Sequence, residues 1–518
     1  MDSDVPEELE PRRSERRRHR RRRRRAEETA PAAAAVDVLS IARQLAGLAI
    51  FGVFFLFVLA APLPMGGNRD WAWAPMVVVI GVVGILCATG LGGREALRVS
   101  ADESTPLLVL IGCFVFFLAW ALLQMSPLAP LSASAALYAR AGEILGQTLV
   151  PIPSLAADAS RDALLKCIGC GVIFLAARVL FRDPQWARLL LMVFAASAVA
   201  VIVYAVYMSV ATHSCYVGTY LKKAGGYMQN DRCLPSGTFV GSNNFGCFCG
   251  MALVAALALL ADARRSHRSE YPEDDDDDES AASIVAAWLS GPKVLTLALA
   301  LFCLGGLLLS ASRAGFAATV AGVAMLGYLL TRGASRKVRG GLTVVALVVG
   351  MVVLVVAGAA FLHKLSLLAD SGNLSRVQIW KTSLAMFRES PWLGWGLGAY
   401  NDIYAINQPI SITLPNDKAH STPLEFLVEL GIPGAVAAIA ACLIPWGYSL
   451  AGALGRNRQR YLPAAAFAIS GVAILHSTVD FSLQMPAIGF VVSALLGLGW
   501  AQTFNSPERP EQPFASDV

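Results

Sequence analysis

The chain has 518 residues, of which 56% are hydrophobic and only 15% are charged, and its formal net charge is +5. A soluble protein of this length carries far more charge, so the composition excludes an ordinary soluble globular protein. The apolar residues fall in runs of about 17 to 24, long enough to cross a hydrocarbon core about 30 Å thick. The first run is full length and follows a charged tail, which argues against a secretory signal peptide.

Twelve apolar runs predict an all-α, polytopic membrane protein of about 12 transmembrane helices. The runs are residues 39–61, 74–91, 106–123, 163–181, 187–210, 239–261, 294–312, 315–331, 342–362, 432–453, 462–478 and 486–501. We therefore expect a membrane domain over residues 39–501, between an Arg-rich tail (1–38) and a second tail (502–518).

Lysine and arginine in short loops predict the orientation. The arginine-rich first tail should stay in the cytoplasm, and counting spans from it puts five short basic loops on that same side. Their residues are Arg94 and Arg98; Arg182 and Arg188; Arg264, Arg265 and Arg268; Arg332, Arg336, Lys337 and Arg339; Arg456, Arg458 and Arg460. Both termini are then cytoplasmic, and the long loops 124–162, 211–238 and 364–422 are external.

The arginine tail has two interpretations. It could bind nucleic acid, but a span begins soon after it, which favours a role in topology and in contact with anionic lipid. We therefore expect a lipid bilayer, and no nucleic acid, as its partner. The acidic run 273–279 falls in a predicted cytoplasmic loop (262–292) and, like the tail, is typical of disordered, solvated chain.

The ten cysteines show no metal-ligand spacing, so we expect neither a structural nor a catalytic metal. Cys215 and Cys233 both fall in one predicted external loop. An oxidising compartment would permit a disulfide between them, but their geometry is not determined by sequence, and two free thiols are the alternative.

Two arginines lie at predicted external ends of spans. Arg313 stands between two spans with almost no loop, where an arginine costs about 2.5–3.5 kcal/mol on insertion scales. It either reaches to lipid headgroups or faces inward as a cation for phosphate, and small neighbours such as Ser312 and Gly315 favour the second. Arg232 precedes a Pro-Ser-Gly turn, after which Asn244 should face protein or a wet cavity.

The segment 364–422, here called the polar segment, separates two spans. It should contain a helix that begins at Asn373 or Ser375 and runs to about Arg388, with Trp380, Leu384 and Phe387 on one face. The glycines that follow, in Gly394-Trp395-Gly396-Leu397-Gly398, lack a nucleotide-binding spacing, so we interpret them as a close-packing or hinge loop.

His420 immediately precedes a second predicted helix. Thr422-Pro423-Leu424-Glu425 is typical of a capping box with proline in the first turn, and Gly431 should end the helix. The positive helix end disfavours a second positive charge, so a neutral imidazole able to accept a proton is expected. At the outer end of the eleventh span, His476 and Asp480 either form a functional pair or merely satisfy each other.

Taken together, these motifs resemble the O-antigen ligase and polymerase superfamily of bacterial membrane glycosyltransferases, most strongly over residues 232–490. The matching elements are Gly237-Thr238-Phe239 to Asn244, Ser312-Arg313-Ala314-Gly315, the Arg376 to Trp380 helix, Pro391-Trp392-Leu393-Gly394-Trp395-Gly396-Leu397-Gly398, and Ala419-His420-Ser421 leading to Gly431.

The resemblance implies a metal-independent transfer, without a cofactor, from an undecaprenyl-diphosphate-linked glycan at the periplasmic face of the bacterial inner membrane. Arg232 and Arg313 would bind the diphosphate, and His420 would activate the acceptor hydroxyl within a periplasmic catalytic loop (364–422). Further expected substrate contacts are Arg376, Lys418, Asn244, His476 and Asp480. The partners would be the lipid-linked glycan, an acceptor glycan or lipid A-core, and a chain-length regulator as a candidate protein partner.

Three functions remain open at the level of sequence. A polymerase is favoured because Ser421 replaces the asparagine that ligases often show, and because residues 476–486 are similar to segments of exopolysaccharide polymerases. A ligase would move the finished glycan onto lipid A-core or another acceptor. A transporter or flippase would need only the cations, and it would be supported by inverted repeats, which the sequence does not show.

Overall fold

The computed structural model describes residues 38–91, 97–129, 133–211, 235–270, 292–332, 372–410, 416–456 and 459–504. Within these ranges the chain is 80% helical and has no β-strand. The prediction of an all-α polytopic membrane protein is therefore confirmed.

Fourteen α-helices make up the described part of the chain. They are α1 (Val38–Ala60), α2 (Asp70–Ala88), α3 (Ala101–Gln124), α4 (Ser134–Leu145), α5 (Ala157–Leu180), α6 (Pro184–Ala211), α7 (Ser242–Glu270), α8 (Pro292–Leu309), α9 (Arg313–Thr331), α10 (Gly372–Glu389), α11 (Tyr400–Asn407), α12 (Thr422–Gly455), α13 (Tyr461–His476) and α14 (Pro486–Phe504).

Eleven of the twelve predicted spans coincide with apolar helices. Eight helices are long and apolar enough to cross a membrane, and three shorter apolar stretches, Gln44–Ala60, Lys293–Leu309 and Tyr461–His476, cover three further spans. The remaining predicted span, 342–362, lies outside the described residues, as do the Arg-rich tail, the acidic run and the last residues of the chain.

The internal contacts divide the chain into two units, Met1–Ala49 and Ile50–Val518. The described part of the first unit is the helical start of α1. The second unit contains the rest of α1 and all the other helices, with α7, α13 and α14 buried along most of their length. Such helices, apolar all round, are typical of the centre of a membrane bundle.

Three arginines from predicted cytoplasmic loops, together with Arg178 near the end of a predicted span, join helix ends that meet at one end of this unit. The contacts are Arg178 with Glu103, Arg182 with Glu103 at 3.2 Å, Arg188 with Asp262 at 3.2 Å, and Arg460 with the Leu330 carbonyl at 2.8 Å. They connect the start of α3 with the end of α5, the start of α6 with the far half of α7, and the start of α13 with the end of α9. The span count places these loops on one side of the membrane, and the helix ends next to them do meet at one end of the unit.

Candidate active site

At the opposite helix ends, α12 breaks and the glycine run of the polar segment packs against the break. Gly431 has φ 66° and ψ −177°, which is not helical, yet the chain resumes as a helix to Gly455. The predicted helix stop at Gly431 is therefore confirmed as a break in the helical backbone, and the predicted span 432–453 follows it directly, so that two helical limbs form one kinked element. The kink leaves backbone carbonyls without their partners inside the helix, and other segments must satisfy them.

The glycine run supplies those partners. The amides of Trp395 and Gly396 donate to the carbonyls of Val428 and Glu429 at 3.0 and 2.9 Å, and the Trp120 indole donates to the Leu430 carbonyl at 2.8 Å. The approach leaves no space for a side chain, since a Cβ on residue 394 would lie 2.2 Å from the Glu429 carbonyl oxygen. The run is thus a close-packing loop that fixes the first limb of α12, residues 422–430.

The loop before α12 carries His420, and its contacts differ from the predicted capping box. Ser421 is the N-cap and makes no side-chain capping bond. The amide of Thr422 donates instead to the Ser477 carbonyl at 2.8 Å, and the Glu425 carboxylate reaches past the cap to accept from the Ala419 amide at 2.8 Å. Glu425 therefore does reach back from the first turn, but it accepts from the amide of Ala419 and not from that of the N-cap residue, Ser421.

Lys418 is engaged by Glu425. Its Nζ lies 3.0 Å from Glu425 Oε1. Burial by itself lowers the pKa of Lys418, but the carboxylates of Glu425 and Glu429 outweigh it and hold that pKa above its ordinary value. Lys418 therefore remains a cation that compensates the charge of the Glu425 carboxylate.

Asp480 is the buried centre of a polar cluster. Its Oδ2 accepts from Asn243 Nδ2 at 2.7 Å and from Arg376 Nη2 at 3.4 Å, and its Oδ1 accepts from the Phe481 amide at 2.8 Å. Burial raises the pKa of Asp480. The opposing effect of His420, His476 and Arg376 is larger, so that the pKa lies below its ordinary value. Asp480 is accordingly a carboxylate at neutral pH.

His420 faces this carboxylate. Its Nδ1 lies 3.6 Å from Asp480 Oδ1, which is longer than a hydrogen bond, and its ring lies 5.3 Å from the ring of Phe481. The backbone of His420 has φ 50°, in the left-handed region that non-glycine residues adopt infrequently. The side chain is 26% exposed, so one edge of the imidazole remains accessible.

His476 and Asn244 form a second, deeper layer. His476 Nδ1 lies 2.9 Å from the Ser482 hydroxyl, which in turn donates to Asn244 Oδ1 at 2.9 Å. Within the described part of the chain, His476 Nε2 and Asn244 Nδ2 have no hydrogen-bond partner. His476 thus hydrogen-bonds Ser482 and not Asp480, and the expected direct pair is replaced by Asp480 with Arg376 and His420.

Arg313 is the exposed first residue of α9. Ser312 caps the helix by accepting from the Gly315 amide at 3.1 Å. The turn between α8 and α9 packs on α7 two residues beyond Asn244, because a Cβ on Gly246 would lie 2.5 Å from Ser310 Oγ. The small residues around Arg313 therefore allow the close helix approach that the sequence predicts.

The structure brings together most of the predicted site residues. His420, Arg376 and Asp480 meet directly, and His476 and Asn244 meet through Ser482. Arg232 and the two cysteines of the possible disulfide, Cys215 and Cys233, lie outside the described residues.

Two further polar residues have roles that sequence reasoning did not assign. Asn243, at the start of α7, donates to Asp480. Gln124, at the end of α3, donates to the carbonyls of Leu393 and Glu429 and so joins the glycine run to the kink. A polar residue at the end of an apolar run was the available signal for both.

Together the fold and this cluster define a multi-pass α-helical membrane protein with a His, Asp and Arg site at one end of its helices. Residues 298–439 match the model of the Wzy_C family, described as O-antigen ligase. The chain thus contains a segment similar to this family, consistent with the O-antigen ligase and polymerase superfamily. Members of the family are glycosyltransferase-like membrane enzymes. No curated protein matches the chain.

The matched segment covers most of α8, all of α9, α10 and α11, and the first half of α12, and it includes Arg313, Arg376 and His420. Asp480, His476 and Asn244 lie outside it, so their place in the cluster rests on the structure alone.

Proposed function

We propose that this chain is a metal-independent membrane glycosyltransferase that polymerises undecaprenyl-diphosphate-linked oligosaccharide repeats of an O-antigen or exopolysaccharide. The reaction would take place at the periplasmic face of the inner membrane. The main support is the convergence of His420, Asp480 and Arg376 at helix ends opposite to the arginine-joined ends.

His420 would act as the general base. With Nδ1 turned toward Asp480, a carboxylate favours the tautomer protonated at Nδ1 and leaves the Nε2 lone pair for the acceptor. The separation of 3.6 Å would shorten as substrate closes the site, as is common for catalytic hydrogen bonds. Nε2 takes the acceptor proton, and Asp480 stabilises the imidazolium that forms.

The proposed transfer needs no reactant besides the lipid-linked donor and the acceptor hydroxyl. The acceptor hydroxyl oxygen forms a bond to the anomeric carbon while the bond from that carbon to the diphosphate oxygen breaks. The lipid diphosphate departs with the electron pair, and guanidinium groups complement the charge that develops on it. Arg313 and Arg232 would fill this role, with the capped start of α9 adding the positive end of its helix dipole.

Arg313→Ala is expected to lower kcat/KM for the lipid-linked donor by about 10- to 100-fold, the value of one or two charge-assisted hydrogen bonds. Arg313→Lys should recover only part of this loss, because a lysine cannot bind phosphate in the bidentate manner. Arg232→Ala should act in the same direction. The measurement is transfer by purified protein over a range of donor concentrations.

Arg332→Ala provides the control for Arg313, since it removes the same side chain just beyond the other end of α9. Equal losses from Arg313→Ala and Arg332→Ala would contradict the diphosphate assignment. Full recovery by Arg313→Lys would reduce the role of Arg313 to that of a simple positive charge.

Polymerase is preferred over ligase on two sequence features that flank the site. Ser421 takes the place of the asparagine common in ligases, and residues 476–486 are similar to segments of exopolysaccharide polymerases. These two stretches adjoin, since the Thr422 amide donates to the Ser477 carbonyl. The acceptor would then be a second lipid-linked glycan, and a chain-length regulator a candidate partner.

A strain lacking this protein should lose long glycan chains and retain single repeats, because transfer between lipid-linked repeats would stop. The measurement is the size profile of lipid-carried and surface glycan, with complementation by the wild-type chain as control. Long chains that stay on the lipid carrier with none on the acceptor would instead indicate a ligase. Repeats trapped on the cytoplasmic side would indicate a transporter or flippase.

A further inference from the structure

Ala419, the residue before His420, is bound by side chains at both of its backbone polar groups. Its amide donates to Glu425 Oε2 at 2.8 Å, and its carbonyl accepts from Trp380 Nε1 at 2.9 Å. Ala419 is also fully buried. Because α10 and α12 each supply one of these bonds, the loop is fixed from two directions just before the imidazole.

The residues after His420 are fixed as well. The Ser421 carbonyl accepts from the Glu425 amide at 2.9 Å, and the Thr422 amide donates to the Ser477 carbonyl at 2.8 Å. His420 lies between these fixed points with φ 50°. A non-glycine residue keeps such a conformation only where its surroundings impose it, and here the two bonds to Ala419 are part of what imposes it.

The two oxygens of Glu425 have different partners. Oε2 accepts from the Ala419 amide, whereas Oε1 binds the ammonium of Lys418 at 3.0 Å. Glu425 is 1% exposed, and a carboxylate so buried needs a partner of opposite charge. The ion pair therefore compensates the charge, while the bond from Ala419 sets the backbone.

We propose that Glu425 is a positioning residue that acts with Trp380, through Ala419, to hold the His420 imidazole against Asp480. The inference rests on the proposed function, because it assigns to Glu425 the geometry of the base. Neither Glu425 nor Trp380 touches substrate in this proposal. Their loss should therefore change turnover more than the binding of the lipid-linked donor, which depends on the arginines.

Two double variants separate the backbone bond from the ion pair. Glu425→Gln/Lys418→Met keeps an oxygen for the Ala419 amide and removes both charges of the ion pair, whereas Glu425→Ala/Lys418→Met removes the bond as well. We expect kcat of the Gln variant to exceed that of the Ala variant by about 10-fold or more, since misplacing a catalytic group by about 1 Å can cost about 100-fold. KM for the donor should be alike in the two.

Trp380→Phe tests the other bond and has a matched control. Trp395 also donates from its indole to one backbone carbonyl, that of Met386 at 2.8 Å, but it does not contact Ala419. Trp380→Phe should lower kcat about 10-fold or more, and Trp395→Phe should lower it less. Equal effects on kcat, or losses that only follow the amount of folded protein, would overturn the positioning role.

A readout that does not depend on transfer distinguishes the two failures. Carbethoxylation of His420 by diethyl pyrocarbonate, followed by mass spectrometry, should be severalfold faster in Glu425→Ala/Lys418→Met and Trp380→Phe than in the wild type or Trp395→Phe. An unchanged rate would overturn the inference. If His420→Ala transfers glycan normally, the proposed function fails, and carbethoxylation still tells whether Glu425 sets the imidazole.

Discussion

Replacing His420 with alanine is expected to abolish glycan extension while the protein still inserts into the membrane. A positioned general base contributes about 100- to 10,000-fold to a rate, and the other histidine of the cluster, His476, is fully buried. The measurement is lipid-linked product per amount of membrane-inserted protein.

His267→Ala is the control for this experiment, because His267 lies near the far end of α7, in a stretch that the span count places in the cytoplasm. It should leave product at the wild-type level. If the His420 variant also makes normal product, the enzyme interpretation is removed, and the alternative of a transporter that uses only the cations gains support. Loss of product in both variants would point to a general defect of insertion.

The membrane-spanning helices, and the side on which their arginine-containing loops lie, could be predicted because both depend on local sequence. A long apolar run is favoured in a bilayer only as a helix, since lipid offers no hydrogen bonds to a free backbone. Arginine in a short loop adds an independent signal of side. Arg182 and Arg460, which the loops place on one side, indeed lie among the helix ends that meet.

The hydrogen-bond partners of the break at Gly431 show where local reasoning fails. A glycine after a short amphipathic stretch is typical of a helix end, and the apolar run 432–453 predicts the helix that follows it. The carbonyls at the break are satisfied by the glycine run and by Gln124, about 300 residues away in sequence. Only the tertiary structure reveals such partners.

The helix of the polar segment was predicted correctly in extent but not in its buried face. It spans Gly372–Glu389, close to the expected limits. The fully buried apolar residues are Ile379 and Met386, whereas Leu384 is 40% exposed. A shift of one residue in the buried face is invisible to a pattern in which apolar residues occur on both sides.

The polar cluster itself was predicted as a list of residues and not as an arrangement. Asp480 and His476 are four residues apart and could have paired across one helical turn. Asp480 instead binds Asn243, which is 237 positions away, and Arg376. Charge and burial select those partners, and neither is local in sequence.

Asp480→Asn is expected to lower kcat by about 100-fold or more, because the neutral side chain no longer stabilises the imidazolium formed at His420. The amide also presents donor hydrogens, where the carboxylate now accepts from Asn243, Arg376 and the Phe481 amide. KM for the lipid-linked donor should change less. Asp402→Asn, an exposed carboxylate in α11, is the control and should retain turnover.

The same substitution should change the dependence of stability on pH. Since the folded-state pKa of Asp480 is depressed, its stabilising contribution is fully present above the unfolded pKa of about 3.9 and is lost as pH falls through the lower folded value. The wild type should therefore be more stable than Asp480→Asn in detergent at pH 7, and the difference in unfolding temperature should shrink on acidification below about pH 4. A constant difference at every pH, together with wild-type turnover, would mean that the carboxylate charge serves neither the fold nor His420.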